Sequence, residues 1–137
     1  MKKIYLFLLG FFFISNLSIA QVYVILNSNN SIENLNKTDI ENIYTLKKKN
    51  WDNGSKIIVI DNKDENASKK FYGFFGKQVS DFRKIWLRAQ FSGEGQAPLV
   101  LNNDDEVIQK VSNEVNSIGF VTKKDVGKNA KIAFQIE

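Results

Sequence analysis

Lys56-Ile57-Ile58-Val59-Ile60-Asp61, followed after a polar loop by Phe71, Phe74 and Phe75, is the stretch that decides the fold. Ile57 to Ile60 are four consecutive β-branched residues with no polar alternation, the pattern of a strand covered on both faces. The phenylalanines that follow are spaced i, i+3, i+4, which places them on one face of a helix. Gly76 stands where such a helix ends. A covered strand leading directly into an amphipathic helix is the unit of an α/β layered domain.

Outward from that unit the same alternation continues. Upstream, Asp52-Asn53-Gly54-Ser55 makes a turn. Val22-Tyr23-Val24-Ile25-Leu26 is a second continuous apolar run and reads as a buried strand, followed by the loop Asn27-Ser28-Asn29-Asn30-Ser31. Thr38-Asp39-Ile40-Glu41 reads as a capping box with Thr38 as N-cap, opening a helix with Ile40, Ile43 and Tyr44 on one face. Downstream, Ser80 is expected to cap a helix carrying Phe82, Ile85 and Trp86, which runs out near Phe91 into the Gly-rich segment Ser92–Pro98. Asp104 or Asp105 starts a last helix with Val107, Ile108 and Val111 inward. Ser117–Val121 and Lys131–Phe134 read as closing strands. The expected fold class is α/β, a three-layer sandwich.

The first twenty residues have a different character. Lys2 and Lys3 precede an apolar run of about 11 residues from Ile4 to Ile14, too short to span a bilayer. Ser18 and Ala20 then supply small residues three back and one back from a cut after Ala20. That order is a secretory signal peptide. Residues 1–20 are therefore expected to be a signal peptide and residues 21–137 a single domain, periplasmic and not inserted in the membrane after cleavage. No Cys follows the apolar run, so no thiol is offered for lipid attachment.

Composition excludes much chemistry. The 137 residues contain no His and no Cys, which removes the usual zinc ligands, the thiol nucleophile, any disulfide and the usual acid–base residue at neutral pH. No paired acidic motif or nucleophile–base pair stands out, so an enzyme is not expected. No cofactor is implied. The net charge of +4 falls to +2 once Lys2 and Lys3 are removed, which does not point to nucleic acid. The run Lys47-Lys48-Lys49 suits a solvated helix end. Among 19 cations only Arg83 and Arg88 are arginines. An Arg in a Lys-rich chain points to a planar fork for carboxylate or phosphate, or to an ordinary surface ion pair.

Four ordered segments resemble one family. Leu35 to Tyr44, continuing through Lys47 to Trp51-Asp52, is similar to the helix and "I-[FY]-x-G-x-x-x-x-W-x-[DG]" segment of the periplasmic phosphate-binding proteins of ABC importers. Lys56 to Asp61, then Ser68 and Phe71, sit where that family has a strand, an anion-binding "R-x-D-G-S-G-T" loop and a helix Phe. Trp86 and Phe91-Ser92-Gly93-Glu94-Gly95 resemble its later Trp and "G-G-x-G" segment. Val107, Val111 and Ser117-Ile118-Gly119-Phe120-Val121 resemble its "V-x-x-x-P-G-A-I-G-Y-V" ending. The chain also departs from the pattern. Leu46 stands in place of the family Gly, Asn116-Ser117 replaces Pro-Gly, and Asp61 to Ser68 lacks both the Arg and the Ser-Gly-Thr triplet.

The resemblance implies one lobe of a type II periplasmic binding protein, with a small oxyanion such as phosphate as ligand and an ABC permease as partner. It places an anion site at Asn66 and Ser68 on a helix start, with Arg88 and the turn residues Ser92, Gly93 and Gly95. In the family a hinge closes two lobes on the ligand. A mature chain of one-lobe size implies an open site, and Asp61, Asp64 and Glu65 beside it would repel an anion. The alternative is a single-lobe interaction module that binds no solute and docks on another envelope protein.

Overall fold

Gly10 and residues 21–137 are described by the computed structural model. The signal peptide expected over residues 1–20 therefore lies, Gly10 apart, outside the described residues. Nine elements follow in the order β1 (Val22–Asn27), α1 (Lys37–Tyr44), β2 (Ile58–Asn62), α2 (Glu65–Phe74), α3 (Val79–Ser92), β3 (Leu99–Leu101), α4 (Asp104–Asn113), β4 (Ser117–Val121) and β5 (Ala130–Ile136). The strands form one sheet in the order β3-β2-β4-β1-β5. β2 is parallel to β3 and to β4, whereas β1 runs antiparallel to both β4 and β5.

Continuous apolar strands need cover on two faces, and the helices supply it. Val22, Val24 and Leu26 of β1 join Ile40 and Tyr44 of α1, Phe71 and Tyr72 of α2, and Phe82 and Trp86 of α3 in one buried cluster. Tyr23 and Ile25, on the opposite side of the pleat, join Val107 and Val111 of α4 in a second. The result is the expected three-layer α/β sandwich, with α1, α2 and α3 on one face and α4 on the other. The Phe71 ring stacks on Phe120 of β4 with centroids 3.9 Å apart and meets Tyr44 edge-on at 4.7 Å. Such pairs add roughly 0.5–1.5 kcal/mol beyond the area they bury. On the other face α4 lies so close to β4 that a Cβ on Gly119 would come within 2.6 Å of Val107 Cγ1.

Local boundaries differ from the sequence expectations in five places. The N-cap of α1 is Asn36, not Thr38: Asn36 Oδ1 accepts the Asp39 N–H at 2.8 Å, and Asp39 accepts the Asn36 N–H in return. The chain is already pinned one residue earlier, where the Leu35 N–H donates to Ala133 O. α3 begins at Val79 with Gln78 as N-cap, and Asp81 accepts the Gln78 N–H at 2.9 Å, so Ser80 lies inside the first turn. β2 starts at Ile58, one residue into the Ile57–Ile60 run, and takes in Asp61 and Asn62, both buried. β3 was not anticipated, being only three residues long and half exposed. β5 extends to Ile136 rather than stopping at Phe134. Gly76, at φ +70, does follow the end of α2 as expected.

Candidate functional site

In open α/β sheets ligands gather beyond the carboxyl ends of parallel strands. Here β2, β3 and β4 end together, and their ends are stitched by polar side chains. Asn62, fully buried at the end of β2, donates from Nδ2 to Asp104 Oδ1 at 2.9 Å and to Phe120 O at 3.0 Å. The other Asp104 oxygen accepts the Thr122 N–H at 3.0 Å, the Thr122 hydroxyl at 2.6 Å and the Lys123 N–H at 3.2 Å. Asp104 is the first residue of α4, so its carboxylate sits at the positive end of that helix. At the far end of α4, Asn27 Nδ2 donates to Val111 O and Ser112 O, so polar side chains pin both ends of the helix.

The start of α2 is closed in a similar way. Asp64 is its N-cap and accepts the Ala67 N–H at 3.0 Å. The Ser68 N–H goes to Asp64 O, and the Asp64 N–H goes to Asn62 Oδ1. Asp61 lies just beneath, only 2 % exposed, and accepts the Tyr72 hydroxyl at 2.6 Å. Burial raises the Asp61 carboxyl above its ordinary value of 3.8; the Tyr72 hydroxyl, the Arg83 charge and the Asn62 amide oppose that rise. Burial likewise holds the Tyr44 and Tyr72 phenols well above 10.0, with the Asp61 charge adding to it. The Tyr44 hydroxyl donates to Ile60 O at 2.7 Å.

The six residues expected at an anion site fall in different surroundings. Asn66 is exposed in the first turn of α2, and Ser68 is turned to the buried side of the same helix. Arg88 is exposed on α3. Ser92 ends α3, and its hydroxyl donates to Ala89 O at 3.2 Å. Gly93 is the left-handed C-cap at φ +73. Its N–H goes to Gln90 O, while those of Glu94 and Gly95 go to Ala89 O. The Ser92–Gly95 turn is thus a helix C-terminus whose amides are used within the turn, and the dipole there favours cations.

Gly93 and Gly95 line a groove of about 840 Å³ that Asn66, Ser68, Arg88 and Ser92 do not line. It opens at Ile57–Val59 and Leu99, where β2 and β3 begin, the opposite end of those strands from Asp64. Among the described residues no cluster of three acidic side chains could hold a metal ion, and no helix is long and apolar enough to cross a membrane. Sequence reading missed the pairing of Asn62, Asp104 and Thr122. Its one available signal was Asn102-Asn103-Asp104-Asp105, a run dense in N-cap residues.

No family model matches the chain, and no curated protein matches it. Solved structures do. A protein from Clostridium perfringens assigned as a phosphate ABC transporter substrate-binding protein, with phosphate bound, superposes with TM-score 0.68 at 18% identity, over 83% of this chain and 45% of that one. An ABC-type phosphate transport receptor from Vibrio cholerae gives TM-score 0.65 at 22% identity, over 82% and 46%. PstS from Borrelia burgdorferi gives 0.57 at 20%, over 82% and 47%. The chain shares its fold with the matched part of each of these proteins. The chain spans less than half the length of each of these substrate-binding proteins.

Proposed function

We propose that this chain is an exported, non-catalytic module with the substrate-binding-protein fold that docks on another protein of the cell envelope. In this reading residues 1–20 are a cleaved signal peptide, residues 21–137 form one domain, and the periplasm is its place of work. One observation carries the docking role. Both helix N-termini at the carboxyl ends of the parallel strands carry the chain's own carboxylates: Asp64 caps α2, and Asp104, the first residue of α4 beside its Asn103 cap, is held in place by the Thr122 and Lys123 N–H groups. An incoming phosphate would have to displace them and would meet Asp61 and Glu65 as well, a like-charge encounter in a partly desolvated place.

A second reading is favoured by the phosphate bound in the Clostridium perfringens protein. In it the chain holds phosphate or another small oxyanion through Asn66, Ser68, Arg88, Ser92, Gly93 and Gly95, and serves an ABC permease. Isothermal titration of the protein from Gln21 onward with phosphate, sulfate and small carboxylates separates the two. Silence across the panel supports docking. Heat at micromolar protein with phosphate, abolished by Arg88→Ala, overturns it in favour of the second reading. Export is tested separately by mass spectrometry of the secreted chain, which should begin at Gln21; an intact Met1 would refute the signal peptide.

A further inference from the structure

We propose that the groove at the start of β2 and β3 is a docking site for an extended acidic segment of a partner protein with apolar side chains on alternate positions. This rests on the docking role proposed above and gives it a surface.

Charge complementarity is the first ground. Three lysines, Lys48, Lys49 and Lys56, line the groove against a single carboxylate, that of Glu94. Lys49 Nζ donates to the main-chain oxygen of Glu94, and Lys56 Nζ donates to Gln96 Oε1 at 3.0 Å. Both acceptors are neutral, so neither ammonium is compensated by them. Lys48 does pair with Asp52, at 3.4 Å, but the Asp52 carboxylate is almost fully exposed, and such a pair holds weakly. A basic segment would be repelled, and an acidic one would be drawn in.

Shape and backbone supply the second ground. Leu46, Ile58 and Leu99 give the groove apolar walls that a small inorganic anion would leave unused. β3 is an edge strand. The Lys63 N–H donates to Leu101 O, so Leu99 and Leu101 face β2, and the N–H and C=O of Val100 point off the open edge. Leu99 and Val100 are 43 % and 51 % exposed. An extended segment can hydrogen-bond at Val100 while alternate side chains enter the groove. Leu46, which lines this wall, holds φ +63, a left-handed conformation costly for leucine.

The test is fluorescence anisotropy of the protein from Gln21 onward with three labelled decapeptides: alternating Glu and Leu, alternating Lys and Leu, and alternating Glu and Ser. The Glu/Leu peptide should bind, the other two should not, and raising NaCl from about 50 to about 500 mM should weaken binding. Lys49→Glu with Lys56→Glu should weaken it about tenfold or more, as two attractive contacts become repulsive. Val100→Pro should weaken it as well, because it removes an amide not used by β2. Circular dichroism should show these surface variants folded. No binding of the Glu/Leu peptide at about 1 mM, or binding indifferent to the double charge reversal, overturns the groove assignment. If the phosphate titration is silent at the same time, only the groove falls and the docking role stands. Phosphate heat would instead remove the docking role itself.

Discussion

Two buried carboxylates, Asp104 and Asp61, lie at the carboxyl ends of the strands. Asp104 is nine-tenths buried and takes donors from Asn62, Thr122 and Lys123. Asp104→Ala takes one of two acceptors from the buried Asn62 amide and the only side-chain acceptor of the part-buried Thr122 and Lys123 N–H groups. A lost acceptor costs about 1–3 kcal/mol where the donor is buried, so a urea melt should lose about 2–4 kcal/mol. Asp61 is held with its carboxyl raised, chiefly by burial. The folded state therefore binds the Asp61 proton more tightly than the unfolded chain does. Its contribution to stability is most favourable below the ordinary value of 3.8 and declines as pH rises toward the raised folded value. Asp61→Asn keeps an acceptor for the Tyr72 hydroxyl and removes the charge. The stability of the variant relative to the parent should thus rise between pH 3 and neutrality and then level off; a difference flat with pH would contradict the assignment.

Among the elements, α4 is the most tightly seated, with both ends pinned and its middle against Gly119. Gly119→Ala would drive a methyl to 2.6 Å from Val107 Cγ1 and 3.3 Å from Val111 Cγ2. Val107 has little rotamer freedom in a helix, so the variant should lose about 1–3 kcal/mol by overpacking. Adding Val107→Ala should recover part of that loss, and the double-mutant cycle measures the coupling. Elements of this kind were legible in sequence where one local pattern sufficed. β1 and β4 announced themselves as apolar runs, and the inward faces of α1 and α4 as helical spacing. Asp61 and Asn62 did not read as strand, because their burial is satisfied by Tyr72 and by Asp104, the latter far along the chain. β3 escaped because an edge strand of three half-exposed residues carries almost no pattern. The site was least legible of all. Ser92-Gly93-Glu94-Gly95 has the composition of a ligand turn and of a helix C-cap alike, and only the destination of its amides distinguishes them.

At the scale of the molecule, the interior strand β1 contributes to both cores. β1 sends Val22, Val24 and Leu26 to one and Tyr23 and Ile25 to the other. Its neighbours both lie near the far end of the chain: Tyr23 pairs with Val121, and Val22 with Ile136. Closing so long a loop is costly before any contact rewards it, so β1 should join after the β2–β3–β4 sheet has begun to form. Val24→Ala should then lower stability by about 1–3 kcal/mol, mainly by speeding unfolding, with the refolding arm of its chevron little moved. A refolding rate that falls in full proportion would place β1 in the nucleus instead. Synthesis sharpens the consequence. β1 is made before both of its partners, and it waits as an unpaired run of apolar residues until β4 and β5 have been added. Until those two strands emerge from the ribosome the sheet cannot close around β1, and over that interval the strand is open to a chaperone.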